Sequence, residues 1–160
     1  SRLKSADSLA KKLVRKGFPV SVDSIEKNIY DVAGVRVVCT FPEDMFSLAE
    51  SLLSQDDVRL IERRDYVASP KPSGYRSLHL IVEVPIFLER EKRCVKVEVQ
   101  LRTISMNFWA SLEHQLRYKK DLAEEDAAAV AAELADLADT AAELDRRMQA
   151  LRNYLDDGEE

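Results

Sequence analysis

Residues 95–102 alternate strictly between apolar and polar. Val95, Val97, Val99 and Leu101 make one face, and Lys96, Glu98, Gln100 and Arg102 make the other. A strand with a side-chain period of two separates the two sets. A sheet with one wet face needs nothing more than this pattern. Other segments add complementary groups: Arg36 in one, Ser77 and His79 in another. Arginines, a histidine and a carboxylate on one sheet face have the makings of a polyphosphate site. Guanidinium binds phosphate in bidentate fashion, and a carboxylate among cations can hold Mg²⁺ or accept a proton. The segment Lys71-Pro72-Ser73-Gly74-Tyr75-Arg76 runs straight into Ser77 and His79. Its glycine permits close backbone approach to a ligand, and its tyrosine offers a ring face. Pro-Ser-Gly is equally an ordinary turn, and an aromatic after it can simply plug a core.

Several chemistries are excluded. The chain has no Gly-x-x-x-x-Gly-Lys-Ser/Thr, no Gly-x-Gly-x-x-Gly, no His-Glu-x-x-His and no Gly-x-Ser-x-Gly. His79 and His114 are the only histidines, so a histidine-rich metal site is ruled out. Cys39 and Cys94 are the only cysteines, too few for a four-cysteine zinc site. Each lies in an apolar-alternating run and is expected to be a small buried hydrophobe.

The elements that must position these residues follow from periodicity. Residues 5–16 read as a helix with Leu9, Leu13 and Val14 on one stripe, stopped by Gly17 and Pro19. Residues 23–30 suit a second short helix. Residues 32–41 read as a strand, 43–54 as a helix, and 58–61 as a short strand. The 68–76 segment is a loop by composition. Residues 77–84 and 94–102 are strands, and 104–119 are helical. In 77–84, Leu78, Leu80, Val82 and Val84 should face one way, and Ser77, His79, Ile81 and Glu83 the other. The order argues a mixed α/β or α+β domain with one sheet, and of these an α+β fold, a mixed β-sheet flanked by helices, is expected.

From about 123 to 155 the composition changes to Ala, Leu, Glu and Asp. Val130, Leu134, Leu137, Ala141, Leu144, Met148, Leu151 and Leu155 recur at spacings 4-3-4-3-4-3-4. That is a heptad seam on one long helix. It could pack on its own domain or on a partner subunit. Charge changes at the same place. Residues 1–120 hold 21 Lys and Arg against 16 Asp and Glu, whereas residues 121–160 hold 3 against 13. A mildly basic body is compatible with anionic ligands, but its excess is too small to argue duplex DNA binding. The acidic helix face should turn to solvent or meet that body. The expected division is 1–120 as one domain and 121–160 as an acidic, oligomerising helix. No apolar run approaches the ~20 residues of a membrane span, and Ser1-Arg2-Leu3-Lys4 has no signal-peptide core. A soluble, cytoplasmic protein is expected.

Four motifs in order carry a resemblance. They are Asp31-Val32-Ala33-Gly34-Val35-Arg36, Arg64-Asp65-Tyr66-Val67, Lys71-Pro72-Ser73-Gly74-Tyr75-Arg76-Ser77-Leu78-His79 and Glu98-Val99-Gln100-Leu101-Arg102-Thr103. With the run from Met106 to His114, they resemble the synthetase domain of the RelA/SpoT homologue family. The small alarmone synthetase branch is the nearest in character, and the resemblance covers about residues 2–120.

The resemblance implies a nucleotidyltransferase-like fold and a GTP pyrophosphokinase. Pyrophosphate would pass from ATP to the ribose 3′-hydroxyl of GDP or GTP, giving ppGpp or pppGpp and AMP. It implies that Asp31 holds Mg²⁺ and that Glu98 shares the metal or serves as base. Arg2 and Arg36 would sandwich adenine, while Lys4, Lys12 and Arg15 meet the ATP phosphates. Tyr75 would stack on guanine, with Lys71, Ser73, His79, Gln100, Arg102 and Asn107 around the guanine nucleotide. A homotetramer assembled through the long helix is implied. No hydrolase activity is expected, because the His-Asp metal motif of long family members has no counterpart. Members of the branch usually carry helices ahead of the motif that begins here at Arg2, so a shortened form is expected. Two alternatives stay open: a toxic relative that makes adenosine alarmones or pyrophosphorylates tRNA 3′ ends, and a catalytically dead nucleotide- or RNA-binding module.

Overall fold

The computed structural model describes residues 2–29, 33–87, 89, 91–117 and 124–158. In chain order the elements are β1 (Arg2–Leu3), α1 (Ala6–Arg15), α2 (Val22–Asn28), β2 (Ala33–Cys39), α3 (Pro42–Leu53), β3 (Arg59–Asp65), β4 (Leu78–Phe87), β5 (Lys92–Thr103), α4 (Ile104–Arg117) and α5 (Glu124–Asp156). The α+β expectation holds. The five strands form one sheet in the order β1-β2-β5-β4-β3.

Local chemistry accounts for the helix ends. Ser5 caps α1, its side chain accepting from the Ser8 amide at 3.4 Å. At the other end the Phe18 amide donates to Leu13 O and the Gly17 amide to Val14 O, both at 3.0 Å. That 6→1 and 5→2 pair needs a left-handed residue between, and Gly17 supplies it with φ of 76°. Ser21 caps α2 in the same way as Ser5 caps α1, through the Ser24 amide at 3.1 Å. Pro42 opens α3 where a missing N–H costs nothing.

The chain gathers into two compact units. One comprises Ser1–Val37, Ala49–Arg64 and His79–Gln100; the other comprises Val38–Leu48, Asp65–Leu78 and Leu101–Glu160. In the first unit Leu9, Leu13 and Ile29 form a small core, with Ile25 packed against it. Leu80, Ile81 and Val82 of β4 are all buried. The expected alternation of facing along β4 therefore does not show as an alternation of burial over this stretch, because both sets of side chains are withdrawn from water. The polar face of β5 is likewise partly withdrawn from water, with Arg102 buried and Glu98 half-buried. β1 is an element that periodicity cannot reveal. Two residues have no measurable period, and only the pairing of Arg2 with Gly34 and Leu3 with Ala33 makes them a strand.

In the second unit Trp109, Leu134 and Ala138 form the core, with Tyr75, Ala110 and Val130 packed against it. Thr103 ends β5 and starts α4. Its hydroxyl accepts from the Met106 amide at 3.2 Å, the geometry of a helix N-cap, and donates to the buried Asp145 carboxylate of α5 at 2.6 Å. Gln149 of α5 accepts from the Glu43 amide and donates back to the Glu43 carboxylate, at 3.2 and 2.9 Å. Arg152 meets Asp44 at 2.6 Å. The α5 contacts to α3 thus carry donors from the tail to acids of the body, opposite to the charge docking expected. Arg76 with Asp139, at 2.8 Å, follows the expected polarity.

The heptad seam also divides. Of its eight positions, Leu134 is buried and Val130 and Ala141 are half-buried. Leu137, Leu144, Met148, Leu151 and Leu155 are exposed. The face that packs internally instead runs 130-134-138-141-145-149-152. These steps of 4-4-3 repeat every eleven residues, close to the pitch of a straight α-helix, from which a strict seven-residue seam drifts away. The cysteines are corrected too: Cys39 is half-buried and Cys94 exposed. Burial, then the Asp44 carboxylate, holds the Cys39 thiol above the usual cysteine range.

Candidate active site

Each unit carries a polar cluster. In the first, the adjacent strands β4 and β5 present His79 and Glu98 to one another, with imidazole Nδ1 3.3 Å from Glu98 Oε1. The side chains are 9% and 18% exposed, so the carboxylate is largely withdrawn from water yet reachable. Gln100 donates from Nε2 to Glu98 Oε2 at 3.1 Å. Both oxygens are therefore oriented by neighbours on rigid strands, as a proton acceptor or metal ligand requires.

The cationic residues expected around ATP lie in this unit. Lys12 and Arg15 share the last turn of α1, three residues apart and so on one side of the helix. Lys12 and Lys4 are half-buried, while Arg15 and Arg36 are exposed. The ladder between β1 and β2 sets residue 2 across from Gly34, two positions before Arg36. Asp31 lies outside the described residues. Among the described residues no group of three His, Cys, Asp or Glu gathers as a metal centre. Glu98 supplies an oxygen donor of the type Mg²⁺ prefers. That ion commonly takes one or two carboxylates and fills its shell with substrate phosphates and water.

The second unit holds the aromatic cluster. Arg102 donates from Nη2 to the Tyr75 hydroxyl at 2.7 Å, and its guanidinium carbon stands 5.1 Å from the ring centroid. Its Nη1 reaches Asn107 Oδ1 at 3.4 Å. Lys71 Nζ lies 4.7 Å from the Tyr66 ring and 4.9 Å from the Tyr75 ring, within cation–π range of both. Tyr66 and Tyr75 meet edge to face with centroids 6.1 Å apart. Tyr75 also packs on the Trp109 cluster, as the core-plug reading of this aromatic expects. Ser73 is half-buried in the turn. Gly74 closes that turn, its amide donating to Lys71 O at 2.8 Å while the Lys71 amide donates to Tyr75 O at 3.1 Å. Gly74 has φ of 88°, so a side chain there would be strained.

Ser77 is the exception among the expected polar residues. It is fully buried, and among the described residues its hydroxyl has no hydrogen-bond partner. Three residues escaped assignment from sequence. Tyr66 shares Lys71 with Tyr75, Asp65 Oδ1 caps the Val67 and Ala68 amides at 2.9 Å, and Arg76 reaches α5. The signal for the first two was present in the Arg64-Asp65-Tyr66-Val67 run.

Comparison with known proteins places this arrangement. Residues 1–123 match the family model described as a region found in RelA/SpoT proteins. The GTP pyrophosphokinase YwaC of Bacillus subtilis (strain 168) is 41% identical over 156 residues, covering 98% of this chain and 73% of that protein. The crystal structure of small alarmone synthetase 1 from Bacillus subtilis bound to its product pppGpp superposes with a TM-score of 0.81 at 37% identity. That match covers 97% of this chain and 77% of the other. The same synthetase bound to AMPCPP matches with a TM-score of 0.74 at 31% identity, over 97% of this chain and 75% of that one. By family model, sequence and fold together, the chain belongs to the RelA/SpoT family, in its small alarmone synthetase branch.

Proposed function

We propose that this protein is a (p)ppGpp synthetase, transferring pyrophosphate from ATP to the ribose 3′-hydroxyl of GDP or GTP. The observation that carries the reading is the Glu98 carboxylate, oriented on both oxygens by His79 and Gln100. The 3′-oxygen attacks the β-phosphorus of ATP, the bond from that phosphorus to the α–β bridging oxygen breaks, and AMP leaves. The 3′-hydroxyl proton passes to Glu98. Such a transfer needs positioning and charge neutralisation rather than a protein nucleophile. Bound Mg²⁺ would neutralise phosphate charge, with Asp31 and Glu98 as its protein ligands. Lys4, Lys12 and Arg15 serve the ATP phosphates, and Arg2 and Arg36 the adenine. Tyr75 and Lys71, with Ser73, His79, Gln100, Arg102 and Asn107, serve the guanine nucleotide. In this reading residues 1–120 form the synthetase domain.

In the same reading α5, within the acidic segment 121–160, joins copies into a homotetramer through the stripe at Leu137, Leu144, Met148, Leu151 and Leu155. Exposed apolar runs of this kind are an aggregation liability when left uncovered. Replacing Leu137 and Leu144 by Asp should lower the mass seen by light scattering, and a wild-type monomer would refute the assembly. The proposal takes the enzyme to be cytoplasmic. Among the described residues no helix is long and apolar enough to cross a membrane. The test of activity is direct. Incubation with Mg²⁺, labelled ATP and GDP, GTP, AMP or tRNA in turn should yield labelled ppGpp and pppGpp only with the guanine nucleotides. Label in an adenosine product or tRNA would assign one of the other activities, and no product would leave a binding module.

A further inference from the structure

The loop bearing Tyr75 rests on α5 with almost no clearance. A Cβ on Gly74 would lie 2.6 Å from Ala138 Cβ and 3.3 Å from Ala135 Cα. Arg76 fastens this approach. Its Nη1 donates to Gly74 O at 3.2 Å and to Ala138 O at 3.1 Å, and its Nη2 meets Asp139 Oδ1 at 2.8 Å. One guanidinium therefore ties the carbonyl of the turn to a carbonyl and a carboxylate of the helix. One helical turn earlier, Trp109 Nε1 donates to Leu134 O at 2.8 Å. Two side chains thus occupy main-chain oxygens four residues apart on one face of α5. Tyr75, between Gly74 and Arg76 in sequence, packs on the core built from Trp109, Leu134 and Ala138.

We infer that Arg76 and Ala138 are positioning residues for the acceptor nucleotide, setting the height and tilt of the Tyr75 ring from the surface of α5. This rests on the reading of Tyr75 as the guanine-stacking residue. Neither residue need touch a nucleotide: the small side chain at 138 admits the Gly74 backbone, and the Arg76 fork holds it there. A lysine at 76 keeps the charge but cannot span the three acceptors with one ammonium. A valine at 138 puts methyl groups where the turn now lies. Glycine at 138 removes a methyl and leaves the approach open, although it weakens the helix.

Steady-state kinetics with GDP and ATP varied separately test this. Arg76→Lys and Ala138→Val should raise the acceptor KM about tenfold, the scale of one to two lost hydrogen bonds. The ATP KM and the kcat at saturating GDP should stay within about twofold, because the Glu98 cluster is untouched. Ala138→Gly should lower Tm yet keep the acceptor KM; the selective rise of the acceptor KM in Arg76→Lys and Ala138→Val is the readout that a merely structural role would not give. If Ala138→Val does not fold, Arg76→Lys and Asp139→Asn decide. Equal losses for both substrates, or an unchanged acceptor KM in Arg76→Lys while Tyr75→Ala raises it, would overturn the inference alone. An unchanged acceptor KM in Tyr75→Ala would overturn the reading of Tyr75 and the inference with it.

Discussion

The two clusters are built by different means. Glu98 stands on a strand beside another strand, and its partners are two residues along its own chain and one strand away. Tyr75 stands on a turn, and its position depends on Arg102, on Trp109 and on a helix more than sixty residues later in sequence. A strand fixes a carboxylate by regular geometry, so that cluster should lose chemistry without losing its shape when one atom changes. A turn has no ladder of its own, so the second cluster should be sensitive to distant packing.

The largest effect is expected at Glu98. Glu98→Gln keeps the shape and the strand, but the amide is a poor proton acceptor and metal ligand. Turnover should fall by about 10²–10⁴ with Tm little changed. Retention of more than about a tenth of wild-type turnover would contradict a general-base role.

Next comes Tyr75→Ala. Loss of a stacking ring costs about 1–3 kcal/mol per base, or roughly 5–150-fold in affinity for GDP. ATP binding, measured by calorimetry without acceptor, should stay close to wild type. Equal losses for both nucleotides would show loop collapse and make Tyr75 a core plug only. Tyr75→Phe sharpens the test, since it keeps the ring and removes only the hydroxyl that Arg102 grips.

Thr103→Val probes how far the aromatic cluster depends on its support. It removes the α4 cap and leaves the buried Asp145 carboxylate without that donor. A cost of about 2 kcal/mol is expected from cap and hydrogen bond together. For a chain of this size that is a drop of roughly 4–8 °C in Tm. An unshifted calorimetric transition would mean that α5 is held by its other contacts alone.

The smallest effect separates the thiols. Cys94 is exposed and should react with a disulfide reagent at once. Burial and Asp44 raise the Cys39 pKa, so less of that thiol is ionised at a given pH. Cys39 should lag in a Cys94→Ser variant, and the lag should shrink as pH rises toward its raised pKa. Equal rates for the two single-cysteine variants near pH 8 would remove this distinction.

Much of the molecule was legible because its causes are local. The α1 helix, its stop at Gly17, the β5 alternation and the length of α5 rest on residues a few positions apart. Periodicity likewise found the stripe on α5, of which five positions remain exposed.

Tertiary structure decided the rest. Residues 2–3 become a strand only because Gly34 and Ala33 are there to pair with them. Whether Ser77 or His79 meets a partner was not written in alternation: one hydroxyl is buried and unpaired, while one imidazole faces a carboxylate on the neighbouring strand. The packing face of α5 was set by where Thr103, Trp109 and Gly74 arrive, not by the heptad count. The physical reason is the same throughout. Backbone hydrogen bonds and side-chain period act over two to four residues and leave a pattern in the sequence. A close approach such as Gly74 against Ala138 joins positions far apart in the chain, and only the folded packing brings them together.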